Sequence, residues 1–106
     1  MNTVEVTVVR IYCTEGDGRL KELLTKLHDD YKLMGVTVFR GTAGYGSSGQ
    51  LHSSSLLDIS LDLPQVIEFF DLRDKVASIL DDLNELIPTG HLLSWHAVVN
   101  LSLIHI

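Results

Sequence analysis

Two apolar stripes at helical spacing, each between two β-rich segments, restrict this chain to very few folds. The first stripe is Leu20, Leu23, Leu24, Leu27, Tyr31 and Met34, at offsets 0, 3, 4, 7, 11 and 14. The second is Val76, Ile79, Leu80, Leu83 and Ile87, at offsets 0, 3, 4, 7 and 11. Each describes one face of a helix. Thr14-Glu15-Gly16-Asp17 offers capping groups before the first stripe, and Gly35 stands where its C-terminal cap belongs. Asp71 is a suitable N-cap for the second helix, which Pro88-Thr89-Gly90 stops.

The flanking segments read as strands. Val4–Tyr12 is rich in Val and Ile, and its second half is apolar on both faces, as a central, covered strand requires. Val36–Arg40 is the second strand. Leu57, Ile59, Leu61 and Leu63 alternate with Asp58, Ser60 and Asp62, the period of a half-buried strand. Pro64 punctuates it, Val66–Phe70 forms a further strand, and His91–Asn100 closes the chain. A doubled strand–helix–strand pattern within 106 residues predicts an α/β (α+β) ferredoxin-like sandwich, βαββαβ with an antiparallel sheet. Right-handed crossovers place both helices on one face. The other face then needs a cover, and a second subunit is the expected one.

A chain this short fits one domain and buries only about 65% of its unfolded surface, so subunit contacts would add stability. We read residues 1–100 as that domain. Leu101-Ser102-Leu103-Ile104-His105-Ile106 matches, in one reading frame, the peptide encoded by the mosaic-end adapter of transposase-based sequencing libraries. We expect this tail to be non-native and draw no function from it. Fourteen acidic residues against eight basic ones leave a net charge of −6 and no Lys/Arg cluster, which argues against nucleic-acid binding. The single cysteine, Cys13, excludes an internal disulfide and suits a reducing compartment. There is no signal-like leader and no apolar run approaching the roughly 20 residues of a membrane span, so the expected location is the cytoplasm.

The glycine-rich stretch Gly41–Ser55 is the best place for chemistry. Gly44-Tyr45-Gly46-Ser47-Ser48-Gly49 has the form G-x-G-x-x-G, but no helix start follows it, as a dinucleotide fold would require. A kinase-type reading lacks a catalytic loop, and a P-loop reading fails because Ser47 stands at the lysine position. What remains is backbone: Gly41, Gly44, Gly46 and Gly49 permit close approach, so successive N–H groups can cradle an anion. The plainer alternative is a surface loop kept supple by glycine.

Arg10 and Arg40 lie near the C-terminal ends of strands expected to run parallel, at the same end of the sheet as the loop. Together they offer a bidentate grip on phosphate or carboxylate; alternatively each pairs with a carboxylate such as Glu15 or Glu68. His52 offers a pH-sensitive ligand contact, and Tyr45 a ring that stacks on a base or a partner. Either residue equally suits a solvent-facing loop. Catalytic readings find little support. No nucleophile motif surrounds Cys13, which reads as buried filler, and Asp29-Asp30 and Asp81-Asp82 read as solvated helix faces. His91 and His96 point to opposite sides of a strand and cannot share a metal. Trp95 reads as core or interface filler. No catalytic residue, metal or cofactor is expected.

Val9-Arg10-Ile11-Tyr12, Gly35–Gly41, Gly44-Tyr45-Gly46, Leu51-His52-Ser53, Asp62-Leu63-Pro64 and Val66-Ile67-Glu68 occur in an order that resembles the PII-like proteins catalogued as domain of unknown function 190. The resemblance spans roughly Val4 to Asn100. It implies a homotrimer of ferredoxin-like subunits, with a flexible loop after the second strand that responds to ligand and partner. It also implies adenine-nucleotide binding in the clefts between subunits, where the turn at Gly90 would line the site. Gly90 otherwise simply ends the helix. The expected function is that of a non-catalytic sensor acting on a protein or membrane-protein target. The alternatives are a metal-responsive trimer of the divalent-cation tolerance type, a small enzyme with an intersubunit active site, and a structural subunit without a ligand.

Overall fold

The computed structural model describes residues 2–33, 35–45, 52–53 and 63–100, with backbone alone at Asp17, His52 and Ser53. Strand β1 (Thr3–Thr14) leads through a 3-10 turn (Glu15–Asp17) into helix α1 (Leu20–Asp29) and strand β2 (Val36–Arg40). Two short strands follow, β3 (Ala43–Gly44) and β4 (His52–Ser53), then β5 (Pro64–Leu72), α2 (Arg73–Leu86) and β6 (Leu92–Asn100). The main sheet has the order β2-β5-β1-β6 with every neighbouring pair antiparallel. β1 and β2 therefore run in the same direction with β5 between them. This is the expected ferredoxin-like arrangement, with β1 in the interior of the sheet.

Alternation along β5 sorts its residues between two faces: Gln65, Ile67, Phe69 and Asp71 are buried, while Pro64, Val66, Glu68, Phe70 and Leu72 are half-buried. The buried set meets Val9 and Ile11 of β1, Leu23 and Leu27 of α1, and Val76, Ile79, Leu83 and Ile87 of α2 in one cluster. Both helices therefore cover the same face. Each fully buried Leu, Ile, Val or Phe here contributes about 1.5–3 kcal/mol.

Two local readings are corrected. Helix α1 stops at Asp29, before Tyr31, and the left-handed residue that follows it is Lys32 (φ 50°), not Gly35. Left-handed backbone costs a non-glycine residue about 1–2 kcal/mol. The Lys75 ammonium offsets this by donating to the Lys32 carbonyl (2.8 Å). Asp71 does not cap α2 from outside the sheet; it is the penultimate residue of β5, almost wholly buried, and Leu72 is the N-cap residue. Its Oδ1 accepts the Leu72 N–H (2.8 Å) and its Oδ2 pairs with Lys75 (3.0 Å). Asp82 lies on an exposed helix face, as expected, and there accepts the Tyr31 hydroxyl (3.0 Å), which ties the segment after α1 to α2. The strand expected over Leu57–Leu63 lies outside the described residues except for Leu63, which is buried ahead of β5. Pro64 opens β5, a position where the missing N–H is tolerated.

Leu63 and Pro64 join three ends of the chain. Glu15 N–H donates to the Leu63 carbonyl (3.0 Å), and Gly41 N–H donates to the Pro64 carbonyl (2.7 Å). Gly41 lies so close that a Cβ there would sit 2.8 Å from Pro64 Cγ. The turn leaving β2 is thus seated on the ring that starts β5.

Replacing Gly41 with Ala should destabilise the fold by about 1–3 kcal/mol, because the proline ring cannot yield as a flexible side chain would. Chemical denaturation checks this, and an unchanged midpoint would refute the seating. Burial, and then the bond to Asp82, push the Tyr31 hydroxyl up to about 12. The folded state favours the neutral phenol, so this contribution is complete below the ordinary tyrosine value near 10 and fades as pH climbs through about 12. The melting temperature of the parent should therefore fall more steeply over that window than that of Tyr31→Phe; parallel curves would disprove the effect.

Candidate functional site

The C-terminal ends of β1 and β2 and the N-terminal ends of β5 and β6 meet at one end of the sheet. Open α/β structures tend to bind ligands where strands end and loops diverge. Here the last rung on the helix side runs Arg40 (β2), Gln65 (β5), Cys13 (β1), paired in register. The root of the glycine-rich stretch rises from the same place. Ala43 pairs with Ser53 and Gly44 with His52, so β3 and β4 form a short ladder beside Pro64. A Cβ on Gly44 would lie 3.3 Å from Pro64 Cγ. These two glycines have a packing reason in addition to flexibility.

Arg40 pairs with Glu15 through its Nε, and over half of its side chain remains exposed. Tyr45 is 77% exposed, free of the core and available to a ligand or partner. Gly90 adopts φ 88° in the turn before β6, which only glycine takes readily. Beside it the His91 N–H donates to the Pro88 carbonyl (3.1 Å), and His91 Nδ1 lies 3.0 Å from the Tyr12 carbonyl. A carbonyl only accepts, so Nδ1 carries the proton and Nε2 is left to face other groups. Gly46 and Gly49 lie outside the described residues, and His52 is placed by its backbone alone.

Arg10 does not join this group. It sits three rungs further into the sheet than Cys13 and on the opposite face. The two arginines are separated by about 10 Å along the strands and two strand spacings of about 4.8 Å across them, so one subunit cannot close both on a single anion. Arg10 Nε instead donates to Glu68 Oε1 (2.6 Å), and its guanidinium stacks 5.4 Å from the centre of the Trp95 ring. The hydrogen bond to Glu68 raises the Arg10 pKa further above its ordinary value, so it stays cationic. Both ion pairs anticipated as alternatives, with Glu15 and with Glu68, are therefore present.

The sheet face bearing Arg10 is the one without helices. Phe39, Val66 and Tyr12 form one row, Glu68, Arg10 and Leu93 the next, and Phe70, Val8 and Trp95 the third. Phe39, Leu93 and Trp95 keep 40–48% of their surface exposed. Cys13 is half-buried and packs against the core. Among the described residues no three His, Cys, Asp or Glu side chains converge as a metal site, and no helix is long and apolar enough to cross a membrane.

Sequence reasoning missed Gln65. It is only 9% exposed, and its Oε1 has no hydrogen-bond partner among the described residues. An unpaired buried acceptor costs about 1–3 kcal/mol. The signal was present: Gln65 is in phase with Ile67 and Phe69, a polar residue where the strand's alternation calls for an apolar one.

Comparison with known proteins agrees with this architecture. A structure of CPII from Thiomonas intermedia K12 bound to ADP and bicarbonate superposes with a TM-score of 0.64 at 18% identity, covering 94% of this chain and 91% of that one. TTHA0516 from Thermus thermophilus, described provisionally as a PII-like signaling protein, superposes with a TM-score of 0.60 at 17% identity, covering 93% and 91%. At such identities the likeness is one of fold. Among curated relatives, the UPF0166 protein MJ1524 of Methanocaldococcus jannaschii is 29% identical over 94 residues, 85% of this chain and 86% of its own. A UPF0166 protein of Aquifex aeolicus is 31% identical over 88 residues, 78% of this chain and 83% of its own. The family model DUF190, described as an uncharacterized group, matches residues 6–99, and the chain belongs to that family.

Proposed function

We propose that this protein is a non-catalytic PII-like sensor that assembles as a homotrimer and binds an adenine nucleotide at the sheet end, between subunits. The observation that carries the reading is the placement of Arg40, Gly41 and Gly44 at the β2 edge and of Gly90 at the β6 edge of the same sheet end, where the glycine-rich stretch is rooted, so that neighbouring subunits could bring the two edges together. Arg40 supplies a cation whose bond to Glu15 is a partly exposed pair worth no more than about 1 kcal/mol, so a phosphate can displace that carboxylate. Tyr45 offers a ring for the base, and the turn at Gly90 lets backbone approach closely. CPII, of the same fold, has been seen with ADP and bicarbonate, and with ADP, AMP and bicarbonate, which supports this class of ligand.

The helix-free sheet face supports the assembly. Its rows of Phe39, Val66, Phe70, Leu93 and Trp95 are too apolar to remain in water, and a copy of the same face would cover them. Arg10 belongs to this face; its pairing with Glu68 neutralises the one charged row it would bury. Ligand occupancy at the sheet end would then change the shape offered by the glycine-rich stretch to a protein or membrane-protein target in the cytoplasm.

A thermal-shift panel of ATP, ADP, AMP, GTP, bicarbonate and phosphate tests the ligand. A nucleotide at 100 times its Kd adds about 2.7 kcal/mol, a rise of several degrees. Arg40→Ala should abolish that rise with secondary structure unchanged; a fold-neutral Arg40→Ala that keeps full affinity would sink the anion site, and no response to any adenine nucleotide at millimolar concentration would sink the ligand reading. Sedimentation equilibrium tests the assembly. The expected mass is three times 11.8 kDa, and Trp95→Glu should yield a folded monomer. A monomeric parent protein would contradict it.

A further inference from the structure

A buried amide acceptor in the last rung of the sheet has no donor among the described residues. Gln65 is flanked across the ladder by Arg40 on one side and Cys13 on the other, all three on the helix side. Its Oε1 is buried and has no hydrogen-bond partner among the described residues. A leucine there would complete the row of Ile67 and Phe69 without any orphaned group. Orphaned acceptors in folded proteins call for an explanation, and one at the end of a sheet where a ligand is proposed has an obvious one.

We propose that Gln65 reads the base of the bound nucleotide, its carbonyl accepting a hydrogen bond from the exocyclic amino group of adenine. The assignment rests on the nucleotide-binding reading above and adds a specificity determinant to it. A carboxamide matches the adenine edge because the amino donor and a ring-nitrogen acceptor lie side by side, the pairing that Gln and Asn use when they recognise adenine elsewhere. Hypoxanthine places a carbonyl where adenine carries its amino group, and two acceptors then face each other. Access follows from the neighbour in the rung. Arg40 projects from the directly opposed position, with its Cβ about 5 Å away, and pairs with Glu15 while over half of its side chain stays exposed. When a phosphate draws the guanidinium off Glu15, the arginine leaves the rung and opens it towards Gln65. Anion capture and base reading are thus successive consequences of one side-chain movement.

The test is calorimetric titration of the full chain with ADP, inosine diphosphate and N6,N6-dimethyl-ADP, the last having no N–H at that position. The parent protein should favour ADP over either analogue by about tenfold. In Gln65→Leu that preference should collapse, with ADP falling to the level of the analogues. Its melting temperature without nucleotide should be no lower than the parent's, since the orphaned acceptor is gone. Tight ADP binding with an unchanged ADP-to-inosine ratio in Gln65→Leu would overturn the Gln65 assignment and leave the nucleotide reading standing. Equal binding of ADP and dimethyl-ADP by the parent would overturn it as well, without dependence on any variant folding. If the parent binds no adenine nucleotide, both readings fall together.

Discussion

The antiparallel ladder between β1 and β5 is the constraint from which the rest of the molecule follows. It runs unbroken from Val6 opposite Leu72 to Thr14 opposite Pro64. A register with period two leaves no freedom once one face is buried, because a one-residue slip would send Ile67, Phe69, Val9 and Ile11 into water. Holding that register assigns every other side chain in the two strands to a face. It places Gln65 beside Cys13 under the helices and Arg10 beside Glu68 on the helix-free side. The helices then cover one face, and the other stays apolar with a neutralised ion pair across it.

The same ladder fixes where chemistry can occur. Its end at Thr14 and Pro64 is where β1 leaves for α1 and where the chain returns from the glycine-rich stretch. Backbone bonds from Glu15 to Leu63 and from Gly41 to Pro64 tie those crossings together. Tyr31 on Asp82 and Lys75 on Asp71 and Lys32 tie the helix side together, away from this end of the sheet. One end of the sheet therefore carries a partly exposed Arg40–Glu15 pair, an exposed Tyr45 and a Gln65 carbonyl with no partner among the described residues.

Much of this was legible along the chain. The stripes from Leu20 to Leu27 and from Val76 to Ile87 identify both helices, since 3.6-residue spacing is a local property of an amphipathic segment. The β-branched runs identify the strands, and Val36–Arg40 is found with the bounds expected of it. Local chemistry misled at Gly35 and Asp71, because a good cap is only a preference. Lys75 stabilises a left-handed Lys32 from another helix, and pairing with β1 carries β5 through Asp71. At the site, the glycines and Arg40 were visible as residue types, and Glu15 was named as a possible partner. Gln65 broke the alternation of its strand, a signal that acquires meaning only when its carbonyl is seen to lack a donor.

By itself, then, the sequence determined the two helices and the order of the four main-sheet strands around them, because periodicity and turn chemistry act over a few neighbouring residues. It also determined that Arg40 and the glycines stand near strand ends, which is a matter of position along the chain. Only the tertiary structure decided which residues share a face and a rung. That depends on strand register between segments some fifty residues apart, as for Arg10 and Glu68 or Cys13 and Gln65. For this reason Arg10 and Arg40, alike in sequence context, end on opposite faces, one across an apolar sheet surface and the other at the mouth of the candidate site.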